Sequence, residues 1–279
     1  MAPSSYTLKT AALACVATLA LISPALADPP QVVFKNGASI LVSALSLQGA
    51  NLVVTSATEG FTEGQTIPFQ TADHVYGDRP VEINQGIALL LSGNQKDAIK
   101  MLEPVAAAQK ASAKIPGNVW LETANALLVA HAVNGNAPKV KDLGKEISDA
   151  TPAQGIDPIV ALGNALLTSS SEAKERLVAL KDLTEGSQPA EVSAYASFYI
   201  GNLHVESKKT PEALEAYLAV PCLFPSGGLI LNSAAEIKAA SILATTRREE
   251  AIALFKSAQI TSPGTVLAEE AKKSLESLK

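Results

Sequence analysis

The sequence predicts an α+β protein of two parts, a small β-barrel-like module at the front and an all-α array of helical hairpins behind it. Three observations carry this: apolar residues recur with period two up to Arg79-Pro80, with helical period after it, and one set of residues near the C-terminus returns at a fixed displacement. Domains are therefore expected at residues 28–79 and 80–279.

Residues 1–27 precede both and have the form of a secretory signal. Lys9 is the only charge before the apolar run Ala11–Ile22, and Ala25-Leu26-Ala27 supplies small residues flanking a cleavage point before Asp28. The run is shorter than the roughly 20 residues that cross a bilayer, and Ser23-Pro24 ends it. Cys15 lies inside the apolar run and is read as part of it. An exported chain, periplasmic or secreted, with no integral membrane span after cleavage, is expected. Only Cys222 would then remain, which excludes an intramolecular disulfide. Its neighbours Pro221, Leu223 and Phe224 predict a buried, inert thiol.

In residues 28–79, Val32-Val33-Phe34 runs into Asn36-Gly37, a dipeptide suited to the positive φ angles of a tight hairpin. Ser39 to Leu47 follows as one long bent strand, with Ile40, Val42 and Ala44 sharing a face. Asn51–Ser56, Thr66–Gln70 and His74–Gly77 complete about five short strands. Closing so few strands into a barrel is the economical way to remove unpaired edges.

After Pro80, helices are expected at Val81–Ser92, Gln95–Gln109, Asn118–Val133, Pro138–Asp149, Pro158–Leu167, Ser171–Leu183, Pro189–Ser207, Thr210–Ala219, Leu231–Ala244, Arg247–Gln259 and Thr265–Leu278. Pro138, Pro158 and Pro189 fall near first turns, where a missing N–H is harmless. Short connections make neighbours antiparallel.

Gly201, Ala213, Tyr217 and Pro225 recur as Ala239, Ala251, Phe255 and Pro263, each 38 residues on. An earlier copy holds Gly86, Leu89, Ala98 and Leu102. Small residues let two helices approach closely, and the large one fills the space between pairs. These residues resemble the tetratricopeptide pattern of a first helix with a glycine and a second with A-x3-F before a closing proline: Ile200-Gly201-x2-His204, Ala213-x3-Tyr217, Pro225. The repeat departs from the usual length, and Ser197 stands at the tryptophan position. The opening Phe34-Lys35-Asn36-Gly37, the bent second strand and Ile67-Pro68-Phe69 resemble the small SH3-like or Sm-like barrels that front exported scaffold proteins.

The tetratricopeptide resemblance implies a TPR-like solenoid whose first helices line a concave binding face. On Pro189–Ser207 the residues opposite Ser197, Ile200, Gly201 and His204 are Tyr195, Tyr199, Asn202 and Glu206, the groove candidates. The tyrosines would equally serve packing against the next pair. No basic block is present and the net charge is −5, so a nucleic-acid partner lacks its electrostatic footprint. His74, His131 and His204 fall on separate elements without a second ligand at metal spacing, and no nucleophile elbow, HExxH helix or phosphate loop occurs. Neither a metal, a cofactor nor catalysis is expected. The expectation is an envelope scaffold or adaptor that binds a protein or peptide. A small-molecule or polysaccharide binder using the groove is the alternative, and a divergent hydrolase the remote one.

Overall fold

A computed structural model describes residues 28–151, 155–168 and 173–278. The expected signal segment, residues 1–27, lies outside the described residues.

Six strands form two antiparallel three-stranded sheets, ordered β2-β1-β6 and β3-β4-β5. The strands are β1 Gln31–Phe34, β2 Ser39–Leu41, β3 Leu45–Gln48, β4 Asn51–Val54, β5 Thr66–Pro68 and β6 Ala72–Tyr76. The expected long strand is two, because the 3-10 turn Val42–Ala44 carries the chain from one sheet to the other. A second 3-10 turn, Phe69–Thr71, makes the return crossing. Each turn interrupts a ladder, so the sheets do not close into a barrel. The alternation nevertheless holds: Ile40, Val42 and Ala44 all face inward, onto Val32, Phe34, Leu52 and Val54.

The module is built into the rest of the chain. Ala111 and Ile115, from the connection behind the second helix, complete its core. The Val75 N–H of β6 donates to the Pro116 carbonyl at 2.8 Å. A side chain at Gly117 would press on the Val75 carbonyl oxygen at 2.9 Å.

Eleven helices follow among the described residues: α1 Val81–Leu91, α2 Gln95–Gln109, α3 Trp120–Val133, α4 Ala137–Ala150, α5 Pro158–Leu167, α6 Ala173–Asp182, α7 Ala190–Glu206, α8 Thr210–Leu223, α9 Leu229–Leu243, α10 Arg248–Thr261 and α11 Val266–Ser277. Every expected helix is present. Only α8 is markedly longer than expected, running through Pro221 because Tyr217 and Val220 keep its buried side facing inward. That extension turns Cys222 outward, so the thiol expected to be buried is exposed.

The small-to-large pairing read from the repeat is the packing device. A Cβ on Gly201 would meet the Tyr217 ring at 2.5 Å, and one on Gly86 would meet Leu102 at 2.6 Å. In the final pair Ala239, Ala251 and Phe255 take the equivalent buried places. Three hairpins also share one turn. Asn94, Asn136 and Lys209 donate backbone N–H bonds to the carbonyls of Leu89, His131 and His204, and the residue just before each donor, Gly93, Gly135 or Lys208, has positive φ.

The odd-numbered helices pack in sequence, α1 on α3, α3 on α5, α5 on α7 and α7 on α9, and α1 returns to pack on α9 and α11. The first helices of the pairs therefore close on themselves. Among the described residues these helices leave no open concave face of the kind expected of a curved array, because the interior between them is filled. Trp120, Phe198, Leu128 and Ile237 are among the side chains of one continuous core. Helices α3, α7 and α9 are buried almost all round, whereas α2, α4 and α10 bury single stripes.

Candidate functional site

Tyr195 and Tyr199 lie inside this core, 2% and 5% exposed. Tyr199 packs edge-on against Phe198 with ring centres 5.5 Å apart, and burial holds both phenols well above their ordinary ionisation range. Asn202 is half-buried and accepts the Tyr217 hydroxyl at 2.7 Å, while Glu206 is exposed one turn on. These two line a shallow depression of about 410 Å³ with Val205, Lys238 and Ser241, at the far end of α7 from Tyr195. The four groove candidates share one stripe of α7, but only its Asn202–Glu206 end reaches solvent. Closure of the odd helices turned the tyrosine half of the stripe into core.

A different site forms where α1, α3, α7 and α9 begin. Their first turns surround a cavity of about 320 Å³ lined by Arg79, Asn84, Glu122, Glu191, the segment Gly227–Leu231 and Thr261. Arg79, in the joint between the two parts, donates from Nε and Nη2 to the Glu122 carboxylate at 2.9 and 2.6 Å. Its Nη1 donates to Asn84 Oδ1 at 2.6 Å. One wall is therefore a bidentate ion pair with its charge balanced.

Glu191 on the opposite wall is in another state. Its carboxylate accepts one bond, from Asn125 Nδ2 at 3.1 Å, and no cation pairs with it among the described residues. Burial, only partly offset by the Asn125 bond, and the nearby Glu122 charge push its pKa up to about 7. Asn125 is itself 8% exposed, and its Oδ1 has no protein donor. The helix starts add backbone donors: α1, α7 and α9 follow Pro80, Pro189 and Gly228, none of which caps with a side chain. Gly228 sits at φ 127°, and Gly227 lies so close on α7 that a Cβ would meet Ala194 at 2.5 Å.

Apolar side chains are exposed at the same end of the array. Nine large apolar side chains are exposed among the described residues, and seven fall at the end of the array where odd helices start and even helices stop: Tyr76, Val81, Ile156, Leu223, Leu229, Ile260 and Val266. Leu229 also lines the cavity. Only Val178 and Val205 lie elsewhere.

Comparison with protein-family models, with curated proteins and with solved structures finds no match for the chain.

Sequence reasoning passed over Arg79, Glu122 and Glu191 because each has an ordinary local reading. Arg79-Pro80 marks a boundary, and an acid in a first turn suits the helix dipole. Their convergence depends on which helices meet. His131 and His204 are buried, and burial lowers both pKa values. No group of three His, Cys, Asp or Glu side chains among the described residues could hold a metal. No helix among them is long and apolar enough to cross a membrane.

Proposed function

We propose that the protein is an exported, non-catalytic scaffold or adaptor that engages a protein or peptide partner through the end of its helical array rather than through a concave groove. The collection of seven exposed apolar side chains at that end carries the reading. Scattered apolar residues need no explanation, but a set collected at one end of the array, the end that carries the β module, is characteristic of an interaction surface. Export rests on the signal-like pattern of residues 1–27.

The hairpin pairing and the Gly201–Tyr217 contact support a tetratricopeptide-like ancestry for the array, with closure as its departure from an open solenoid. The strand orders and the 3-10 turn before β6 support an SH3-like reading of the front module. The polar cavity favours a second reading, a binder of small molecules or saccharides.

Photo-crosslinking residues placed at Leu229 and Ile260, and as controls at Val178 and Val205, test the first reading in the producing cell. It expects one defined adduct from the first two sites only. Equal adducts at all four, or at the controls alone, would overturn it.

A further inference from the structure

Building on the reading of this end as a binding face, we infer that the cavity at its centre receives a protonated guanidinium or amine group, which pairs with Glu191 as Arg79 pairs with Glu122. Two observations converge on a cation that brings hydrogen-bond donors. Glu191 and Glu122 both face the cavity, but only Glu122 has a cationic partner. The donors of Arg79 are already directed at Glu122 and Asn84, so the wall cannot supply Glu191 without breaking the existing pair.

A carboxylate drawn out of water without a cation is costly to ionise, and a charge-assisted bond to it is among the stronger polar contacts. A guanidinium head fits about 320 Å³ easily, with room for the methylene stem to lie along Leu229 and Ile230. The groups facing Glu191 are few. Glu122 comes from α3, neutralised by Arg79, and Tyr195 follows one turn on in α7 with its hydroxyl protonated. Asn84 comes from α1 and Thr261 from α10, and the Gly227–Leu231 segment brings backbone and apolar groups. A cation entering this site meets an acid that is part protonated near neutrality, so its binding releases a proton and strengthens as pH rises.

The test is an NMR titration of the Glu191 side-chain carboxyl in the purified chain, with methylguanidinium, N-acetyl-arginine amide, acetamide and acetate as probes. The two cations are expected to lower the Glu191 titration midpoint and to bind roughly tenfold more tightly at pH 8 than at pH 6. Glu191→Gln, isosteric and still able to meet Asn125, should lose that pH dependence and bind at least about tenfold more weakly at pH 8. Equal binding of the two cations assigns a free organic cation, and a clear preference for the arginine derivative assigns a partner's basic side chain. A Glu191 midpoint unmoved by either cation, or moved as much by acetamide or acetate, would overturn the inference. Ile260→Ser separates this from the docking reading: the side chain is exposed and lies outside the cavity lining, so its loss should weaken the crosslink formed from Leu229 while leaving methylguanidinium binding intact.

Discussion

The two ends of the helical array are built from the same helices and differ in almost everything else. At the end where the hairpins turn, the connections are short and polar, Ser92-Gly93-Asn94, Asn134-Gly135-Asn136 and Ser207-Lys208-Lys209, and one backbone bond geometry closes all three. At the other end, odd helices start without side-chain caps at Pro80, Pro189 and Gly228, a buried carboxyl lacks a cation, and apolar side chains reach solvent. One end meets folding rules locally. The other leaves polar and apolar groups unsatisfied, and such departures concentrate where proteins bind.

Four variants probe that contrast, in order of expected effect. Gly201→Val should be the most damaging, because its side chain would drive into the Tyr217 ring. A loss of about 3 kcal/mol is expected from overpacking of this kind, read as a lower denaturation midpoint. Glu191→Gln acts with the opposite sign at the other end. Below pH 4.5 Glu191 is protonated in folded and unfolded chains alike. Between 4.5 and about 7 the unfolded chain releases the proton that the folded one keeps, so stability falls as pH rises across that window and levels off above it. Removing the titration should stabilise the protein by roughly 2–3 kcal/mol at pH 8 and leave it nearly unchanged at pH 4. Denaturant unfolding at the two pH values checks this.

The smaller effects sharpen the same comparison. Lys208 is the non-glycine residue at positive φ among the described residues, in the turn where the other hairpins carry Gly93 and Gly135. Lys208→Gly should therefore stabilise by up to about 1 kcal/mol, measured by thermal unfolding. Leu229→Ser together with Ile260→Ser should leave stability within about 0.5 kcal/mol, since both side chains are already largely in water, 65% and 76% exposed. Their effect should appear in partner binding alone.

Much of the fold was legible. The period switch at Arg79-Pro80 located the joint, and the displaced Gly, Ala and aromatic set located the helix contacts, because both depend on residues near one another in sequence. The strand that bends at Val42 was visible as a bend, but not as a crossing between two sheets. Closure of the odd helices was not visible, since the rotation between successive pairs is a sum over many contacts and no single residue encodes it. One signal was available: Trp120–Val133, Ala190–Glu206 and Leu229–Leu243 carry no continuous polar face, which implies helices buried all round. Half of the expected site failed for that reason. Tyr195 and Tyr199 were placed on a face that closure fills, and the cavity at the helix starts is assembled from Arg79, Glu122 and Glu191, which only the closed arrangement brings together.

Ring closure is the claim on which the binding end rests, and the distance between its first and last odd helices tests it most directly. Spin labels at Val81 and Leu229, both exposed at that end, should give one narrow distance below about 25 Å, since α1 and α9 pack as neighbours with axes about 10 Å apart. An open array of five pairs would separate them by roughly 35 Å or more, and that result would contradict the account.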